Sequence, residues 1–263
     1  MKNILCGDVQ ESIQKLPDDS IQAVISSPPY AMQRKLYQGV TEKDYPQWTV
    51  DWMQKLDGKL KGDGSVLIVI RPNISNGEVS DYVLRTRLAV REAGWKECEE
   101  LIWYKPDGPP LGSTKRPRRA WEKILWFSKT GKPFVDLYAC GNKNSTRTGG
   151  FEGSNRFGEG GDSPIAANQN RNGLKRGTSR ITDVITSCIC HIERGVMHPA
   201  MYPPTLVDFL VKTFSREGDT VLDPFGGSGQ TAMSCVRNNR DYCLIDNNEE
   251  YIELAKDRIK SIS

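Results

Sequence analysis

The chain has 263 residues and a formal net charge of +3, enough for one compact domain or one domain with a sizeable insertion. Its 37% hydrophobic content is globular, no apolar run approaches the ~18 residues of a membrane span, and the opening MKNILCGDVQESI turns acidic too early for a signal peptide. Seven cysteines without a repeating framework point to reduced thiols in a cytosol, so membrane, collagen-like, disulfide-rich secreted and fully disordered classes are excluded.

In chain order, Asn3 to Cys6 predicts a short strand ending at Asp8, followed by an amphipathic turn with Ile13 and Leu16 at helical spacing. Ile21, Ala23, Val24 and Ile25 predict a second strand, which runs into Ser27-Pro28-Pro29-Tyr30, where two prolines end any ladder. Residues 48–60 read as a helix with Trp48, Trp52, Leu56 and Leu60 on one face. Gly62 and Gly64 are expected to break it before a buried strand over Ser65–Ile70. Residues 79–93 predict a helix with Val79, Val83, Leu84, Leu88 and Val90 apolar, and Leu101–Tyr104 and Lys123–Phe127 two more strands. Trp121 and Trp126 read as core. Alternating strands and helices argue for a mostly parallel α/β sheet.

The middle of the chain has a different character. Residues 141–180 hold nine glycines and six asparagines and carry net +4, while 114–132 carry net +6. The remainder is therefore acidic. A solvated loop accounts for the composition; a polyanion-binding segment accounts for the charge as well. The α/β pattern then resumes with a helix over Leu206–Phe214, a strand over Thr220–Leu222, a helix from Gln230 to Asn238, a strand over Tyr242–Ile245 ending at Asp246, and a final amphipathic helix over Glu249–Ile262.

Between the strand and helix of this last part lies Asp223-Pro224-Phe225-Gly226-Gly227-Ser228-Gly229. Glycines let a ligand approach the backbone, and a helix N-terminus is electropositive. Asp246 ends the next strand, where an acid accepts hydrogen bonds from ribose hydroxyls. The trio describes a nucleoside site at the carboxyl ends of parallel strands. Gln230 stands where a phosphate-binding loop needs Lys, and GGSG is not a dinucleotide fingerprint. An acid beside the turn suits a cationic ligand with an amino group, such as S-adenosylmethionine.

Ser27-Pro28-Pro29-Tyr30 early and Asp223 to Gly229 late together resemble the amino DNA methyltransferases, in the motif order of the permuted beta class. Trp103-Tyr104-Lys105-Pro106, Trp121-Glu122-Lys123-Ile124-Leu125 and His198-Pro199-Ala200-Met201-Tyr202-Pro203 extend the resemblance. It implies a Rossmann-like, circularly permuted methyltransferase fold, with residues 1–135 and 196–263 as the catalytic domain and 136–195 as an irregular target-recognition region. The permutation implies that residues 2–7 supply the strand after Asp246 and that the two termini lie close together.

The implied activity is methyl transfer from S-adenosylmethionine to an exocyclic amine of a base in duplex DNA. An amine conjugated with its ring is a poor nucleophile, and acceptors for its hydrogens improve it. The Ser27 hydroxyl and the Pro28 carbonyl are candidate acceptors, Pro29 rigidifies the turn, and Tyr30 stacks on a flipped base. In the family a Ser before the prolines goes with cytosine N4 and an Asp with adenine N6, so Ser27 favours cytosine. Adenine N6 and a non-catalytic nucleic-acid-binding relative stay open as alternatives.

The resemblance assigns Asp223, Phe225, Gly226, Gly227, Ser228 and Gly229 to the cofactor, Asp246 to its ribose and Asp8 to its adenine amine. A helix cap is the competing reading of Asp8 and a core position that of Phe225. Asp223 reads as the least structural of these, because an unpaired buried acid is costly. Arg116, Arg118, Arg119, Arg147, Arg156, Arg171, Lys175, Arg176 and Arg180 are the expected DNA contacts. Cys188-Ile189-Cys190-His191 reads as buried thiols on a strand rather than a metal site. A cytoplasmic protein of a prokaryote, archaeon or phage is expected, monomeric or homodimeric, with a cognate restriction endonuclease as a partner.

Overall fold

Runs of aliphatic residues gather into one eight-stranded sheet in a computed structural model that describes residues 1–31, 40–75, 77–108, 116–141, 178–189 and 202–262. Its strands are β1 (Lys2–Cys6), β2 (Ile21–Ser26), β3 (Leu60–Ile70), β6 (Lys96–Tyr104), β7 (Trp121–Ser128), β8 (Val184–Thr186), β9 (Thr220–Asp223) and β10 (Asp241–Asp246). β4 (Ile74–Ser75) and β5 (Glu78–Val79) form a separate ribbon. The order is β1-β10-β9-β2-β3-β7-β6-β8. Neighbours from β1 to β3 run parallel, β7 is antiparallel to both β3 and β6, and β8 joins β6 in parallel.

Helices cover both faces, as a parallel sheet requires. α1 (Val9–Gln14), α2 (Tyr45–Gln54) and α3 (Tyr82–Glu92) pack on one side over Val24, Val66, Ile68 and Leu222. α4 (Pro204–Phe214), α5 (Gln230–Arg237) and α6 (Glu249–Lys260) pack on the other over Ala23, Ile25, Leu67 and Val221. β2 is buried at every position because it sits between β9 and β3 with helices above and below. None of the helices among the described residues is long and apolar enough to cross a membrane.

The strand after Asp246 is indeed supplied by the start of the chain: β1 pairs in parallel with β10, Cys6 opposite Asp246. The Met1 ammonium forms an ion pair with Asp241 at the opposite edge. α6 leaves β10 at the carboxyl edge and packs against β1 and β10.

Several sequence expectations are corrected. The predicted helix over 48–60 occupies Tyr45–Gln54, and β3 starts at Leu60 and passes through Gly62 and Gly64. The pairing of β2 with β3 jumps from Ile21–Leu60 to Ala23–Ser65, so these glycines lie in an irregular stretch of strand. In α3, Leu84 and Leu88 face outward while Val83 and Val90 are buried. Trp121 is 45% exposed, with the Lys123 ammonium 5.3 Å from its ring centroid. Trp126 is partly buried against Phe214 and donates to Ser65 Oγ at 3.0 Å.

Candidate active site

β9 and β2 are adjacent parallel strands, Leu222 opposite Val24. The chain leaves β9 towards β10 and β1 on one side, and leaves β2 towards β3 on the other. This is the point where strand order reverses, and open α/β sheets bind ligands there. Ser27 to Tyr30 extends one strand end and Asp223 to Gly229 the other, so the two motifs, far apart in sequence, share one crevice edge.

A buried hydrogen bond joins them. Ser26 Oγ donates to Asp223 Oδ1 at 2.9 Å. The Phe225 N–H donates to the same oxygen at 3.2 Å. Tyr202 and Thr231 donate their hydroxyls to Asp223 Oδ2 at 2.9 and 2.6 Å. Asp223 is thus a buried carboxylate met by four donors of the fold itself. Burial pushes its carboxyl above the ordinary value, and these donors oppose the rise. Its local task is to hold the glycine turn onto β2, onto α5 and onto Tyr202 ahead of α4.

The turn is shaped by packing as well. Gly227 and Gly229 have φ of +48° and +79°, which only glycine adopts without strain. A Cβ on Gly226 would lie 2.1 Å from Leu244 Cγ on β10. Gly226→Ala is therefore expected to lower folding stability by about 2 kcal/mol through overpacking, read from urea unfolding midpoints. Arg258 on α6 donates to the Ser228 carbonyl and to Gln230 Oε1, bracing the turn from behind. α5 opens at Gly229 without a side-chain cap.

Asp246 stands at the end of β10, partly buried. Its Oδ2 accepts from the Gly227 N–H at 2.8 Å and its Oδ1 from the Asn248 N–H at 2.9 Å. Burial raises its carboxyl pKa, against backbone hydrogen bonds from Asn248, Gly227 and Asn247. A carboxylate has about four acceptor positions, so capacity for a ligand hydroxyl remains. Phe225 is half-buried and meets Trp48 and Trp52 of α2, with centroids 5.3 and 5.7 Å away. Asp8 is exposed and caps α1, with Oδ1 accepting from the Gln10 and Glu11 N–H groups at 2.8 and 3.1 Å.

At the β2 end, Ser27 Oγ donates to the Tyr30 hydroxyl oxygen at 3.4 Å, and that hydroxyl donates to Glu122 Oε2 at 2.6 Å. Glu122 is buried, and its Oε1 pairs with the Lys105 ammonium, with Arg71 Nη1 3.9 Å away. Burial lowers the Lys105 pKa, and Glu122 beside it opposes that. Burial, reinforced by Glu122, pushes the Tyr30 phenol well above its ordinary value, so it stays protonated at neutral pH.

A family model described as DNA methylase, covering N6 and N4 methyltransferases, matches residues 21–257. The chain belongs to this DNA methylase family. The Type II methyltransferase M.PvuII of Proteus hauseri is 27% identical to the methylase over 94% of this chain and 80% of its own length. M.HpaI of Haemophilus parainfluenzae is 25% identical over 99% and 74%. The solved PvuII DNA methyltransferase (cytosine-N4-specific) superposes with a TM-score of 0.72, 22% identity, and coverage of 98% of this chain and 90% of that one.

Of the expected DNA contacts of the methylase, Arg116, Arg118, Arg119 and Arg180 are among the described residues. Arg116, Arg118 and Arg119 donate to the carbonyls of Gly77, Gly108 and Pro72. Arg180 is exposed. Arg147, Arg156, Arg171, Lys175 and Arg176 lie outside the described residues, as do Cys190, His191 and His198. Cys188 is half-buried in a loop rather than on a strand. Sequence reasoning missed Ser26, Tyr202 and Thr231 as the donors around Asp223, Glu122 as the partner of Tyr30, and Lys105 as the partner of Glu122. The signal for Glu122 was present: an acid interrupts the apolar strand WEKILWF.

Proposed function

We propose that this methylase transfers a methyl group from S-adenosylmethionine to the N4 amine of a flipped cytosine in duplex DNA. The observation that carries it is the crevice edge where the Ser27–Tyr30 turn and the glycine turn meet through Ser26 and Asp223. The residues fit such a donor. Asp246 has hydroxyl-accepting capacity, Phe225 offers a half-buried aromatic surface, and α5 begins uncapped at Gly229. Asp246 would hold the ribose, Phe225 would pack against the adenine, and Gly226 to Gly229 would line the methionine part, with Asp8 near the adenine amine. When bound, the cofactor supplies an electrophilic sulfonium methyl group.

The chain's own residues handle the amine. Ser27 Oγ and the Pro28 carbonyl accept its two hydrogens and turn its lone pair outward. Two prolines hold that carbonyl without a competing N–H. The Tyr30 ring stacks on the base and offsets the few kcal/mol of flipping. Positioning and electrostatics carry the rate enhancement. Residues 136–195 form the target-recognition region in this reading, with Arg116, Arg118, Arg119 and the central basic residues on phosphates and base edges. A cytoplasmic modification enzyme, acting beside a restriction endonuclease of the same specificity, follows.

Asp246→Asn is expected to weaken S-adenosylmethionine binding about tenfold, the worth of one charge-assisted hydrogen bond, measured by calorimetry. The function itself is tested by nucleoside mass spectrometry of DNA from cells expressing the chain, beside a Ser27→Ala strain. N4-methylcytosine only with the intact chain supports the reading. N6-methyladenine keeps the mechanism and overturns the base; neither product overturns the activity.

A further inference from the structure

A serine hydroxyl both donates and accepts. Beside a cytosine or adenine amine, only its acceptor side helps, because a hydroxyl hydrogen pointed at the amine would repel it. Something must therefore set the direction of the Ser27 hydrogen. The described residues contain a chain of groups that does so.

Lys105 has three hydrogens to donate and nothing with which to accept, so it takes Glu122 Oε1 as its acceptor. A carboxylate only accepts, so Glu122 Oε2 takes the Tyr30 hydroxyl hydrogen at 2.6 Å. The Tyr30 oxygen, its one hydrogen spent, is left to accept, and Ser27 Oγ donates to it at 3.4 Å. The Ser27 hydrogen then points along the chain, and its lone pairs face away from Tyr30. The Lys105 ammonium also sits 4.0 Å from the Trp103 ring centroid, which holds the terminal donor in place. Arg71 adds a second positive charge 3.9 Å from Glu122 Oε1.

We propose that Glu122 is a positioning residue: with Lys105 it orients a one-way hydrogen-bond chain through Tyr30 that makes Ser27 an obligate acceptor for the target amine. The proposal rests on the amine-methylating function above and on no choice between cytosine and adenine, because both present the same group. The length of the Ser27–Tyr30 bond fits a contact that tightens when a base closes on the site.

The chain predicts that one substitution reverses it. In Glu122→Gln the amide oxygen is drawn to the Lys105 ammonium, so the amide NH2 faces Tyr30. The phenol oxygen then accepts from Gln and sends its own hydrogen to Ser27, whose hydrogen is pushed towards the amine. Tyr30→Phe instead cuts the chain and leaves Ser27 free to turn either way. Glu122→Gln should therefore lower kcat about a hundredfold and Tyr30→Phe only about tenfold. The double variant should recover to the Tyr30→Phe level, because without the phenol the reversed amide cannot act on Ser27.

The test measures single-turnover methyl transfer from tritiated S-adenosylmethionine to unmodified phage DNA for the wild type, the two single variants and the double variant. Cofactor affinity and thermal midpoint are read in parallel. Recovery in the double variant, with cofactor affinity unchanged in all four, supports the proposal, since a merely structural Glu122 would not be rescued by a second loss. A double variant worse than Glu122→Gln overturns it, as does Glu122→Gln at wild-type kcat. The same rank order with N6-methyladenine as product supports the chain and corrects the base. No methyl transfer by the wild type overturns both the functional reading and the proposal.

Discussion

Replacing Ser27 with Ala is expected to lower kcat about a thousandfold and to leave S-adenosylmethionine affinity and thermal stability unchanged. The loss is that of one preorganised hydrogen-bonding group aimed at the reacting atom, which is worth about 10²–10³ in rate; the upper end applies because the proposed function gives the amine only Ser27 Oγ and the Pro28 carbonyl as acceptors. Stability is spared because Ser27 is half-buried and its hydroxyl makes one long hydrogen bond, 3.4 Å to Tyr30, among the described residues. Burst kinetics with labelled cofactor, beside a melting curve, check both halves. A kcat within tenfold of wild type would remove Ser27 from the chemistry.

Asp223→Ala acts in the opposite way. It leaves the Ser26, Tyr202 and Thr231 hydroxyls and the Phe225 N–H facing a cavity. Each buried donor left without its acceptor costs about 1–3 kcal/mol, so the variant should unfold at much lower urea. Asp223→Asn should cost far less: its oxygen can face Ser26 and Phe225 while its NH2 faces two hydroxyls that rotate to accept. The pH sign separates the two further. Because the folded-state pKa of Asp223 is raised, the native state binds more protons than the unfolded state between the ordinary carboxylate pKa and the raised one. The ionised group therefore costs stability at neutral pH, and that cost is relieved as pH falls through the raised value. Asp223→Asn should lose this component of the pH dependence. A wild-type-like urea midpoint for Asp223→Ala would show that the four donors are not held by the acid.

The parts of this fold that repeat a local pattern are legible in the sequence. The strand ends at Ser27, Asp223 and Asp246, the glycine turn and the amphipathic helices α4 and α6 follow from periodicity and turn chemistry. The failures share a cause in tertiary context. Gly62 and Gly64 signal a break, yet β3 absorbs them where its pairing with β2 is irregular. Leu84 and Leu88 have helical spacing, but spacing does not say which stripe of α3 meets the sheet, and Val83 and Val90 do. The environment of Asp223 is set by residues 26, 202 and 231, whose convergence no local reading contains. Glu122 could be singled out as an acid in an apolar strand, whereas its partner Tyr30 lies 92 positions away.

The joint between Ser26 and Asp223 spans 197 positions, and this sets a timetable. β2, buried along its length, is made well before its neighbour β9, which follows almost two hundred residues later. At about 5–20 residues per second the ribosome leaves one side of β2 without its strand for roughly 10–40 s. An open strand edge invites wrong pairing, so that interval is the one in which mispairing of the nascent chain is favoured. The same delay keeps the crevice edge shared by the two motifs from forming until both strands have been made.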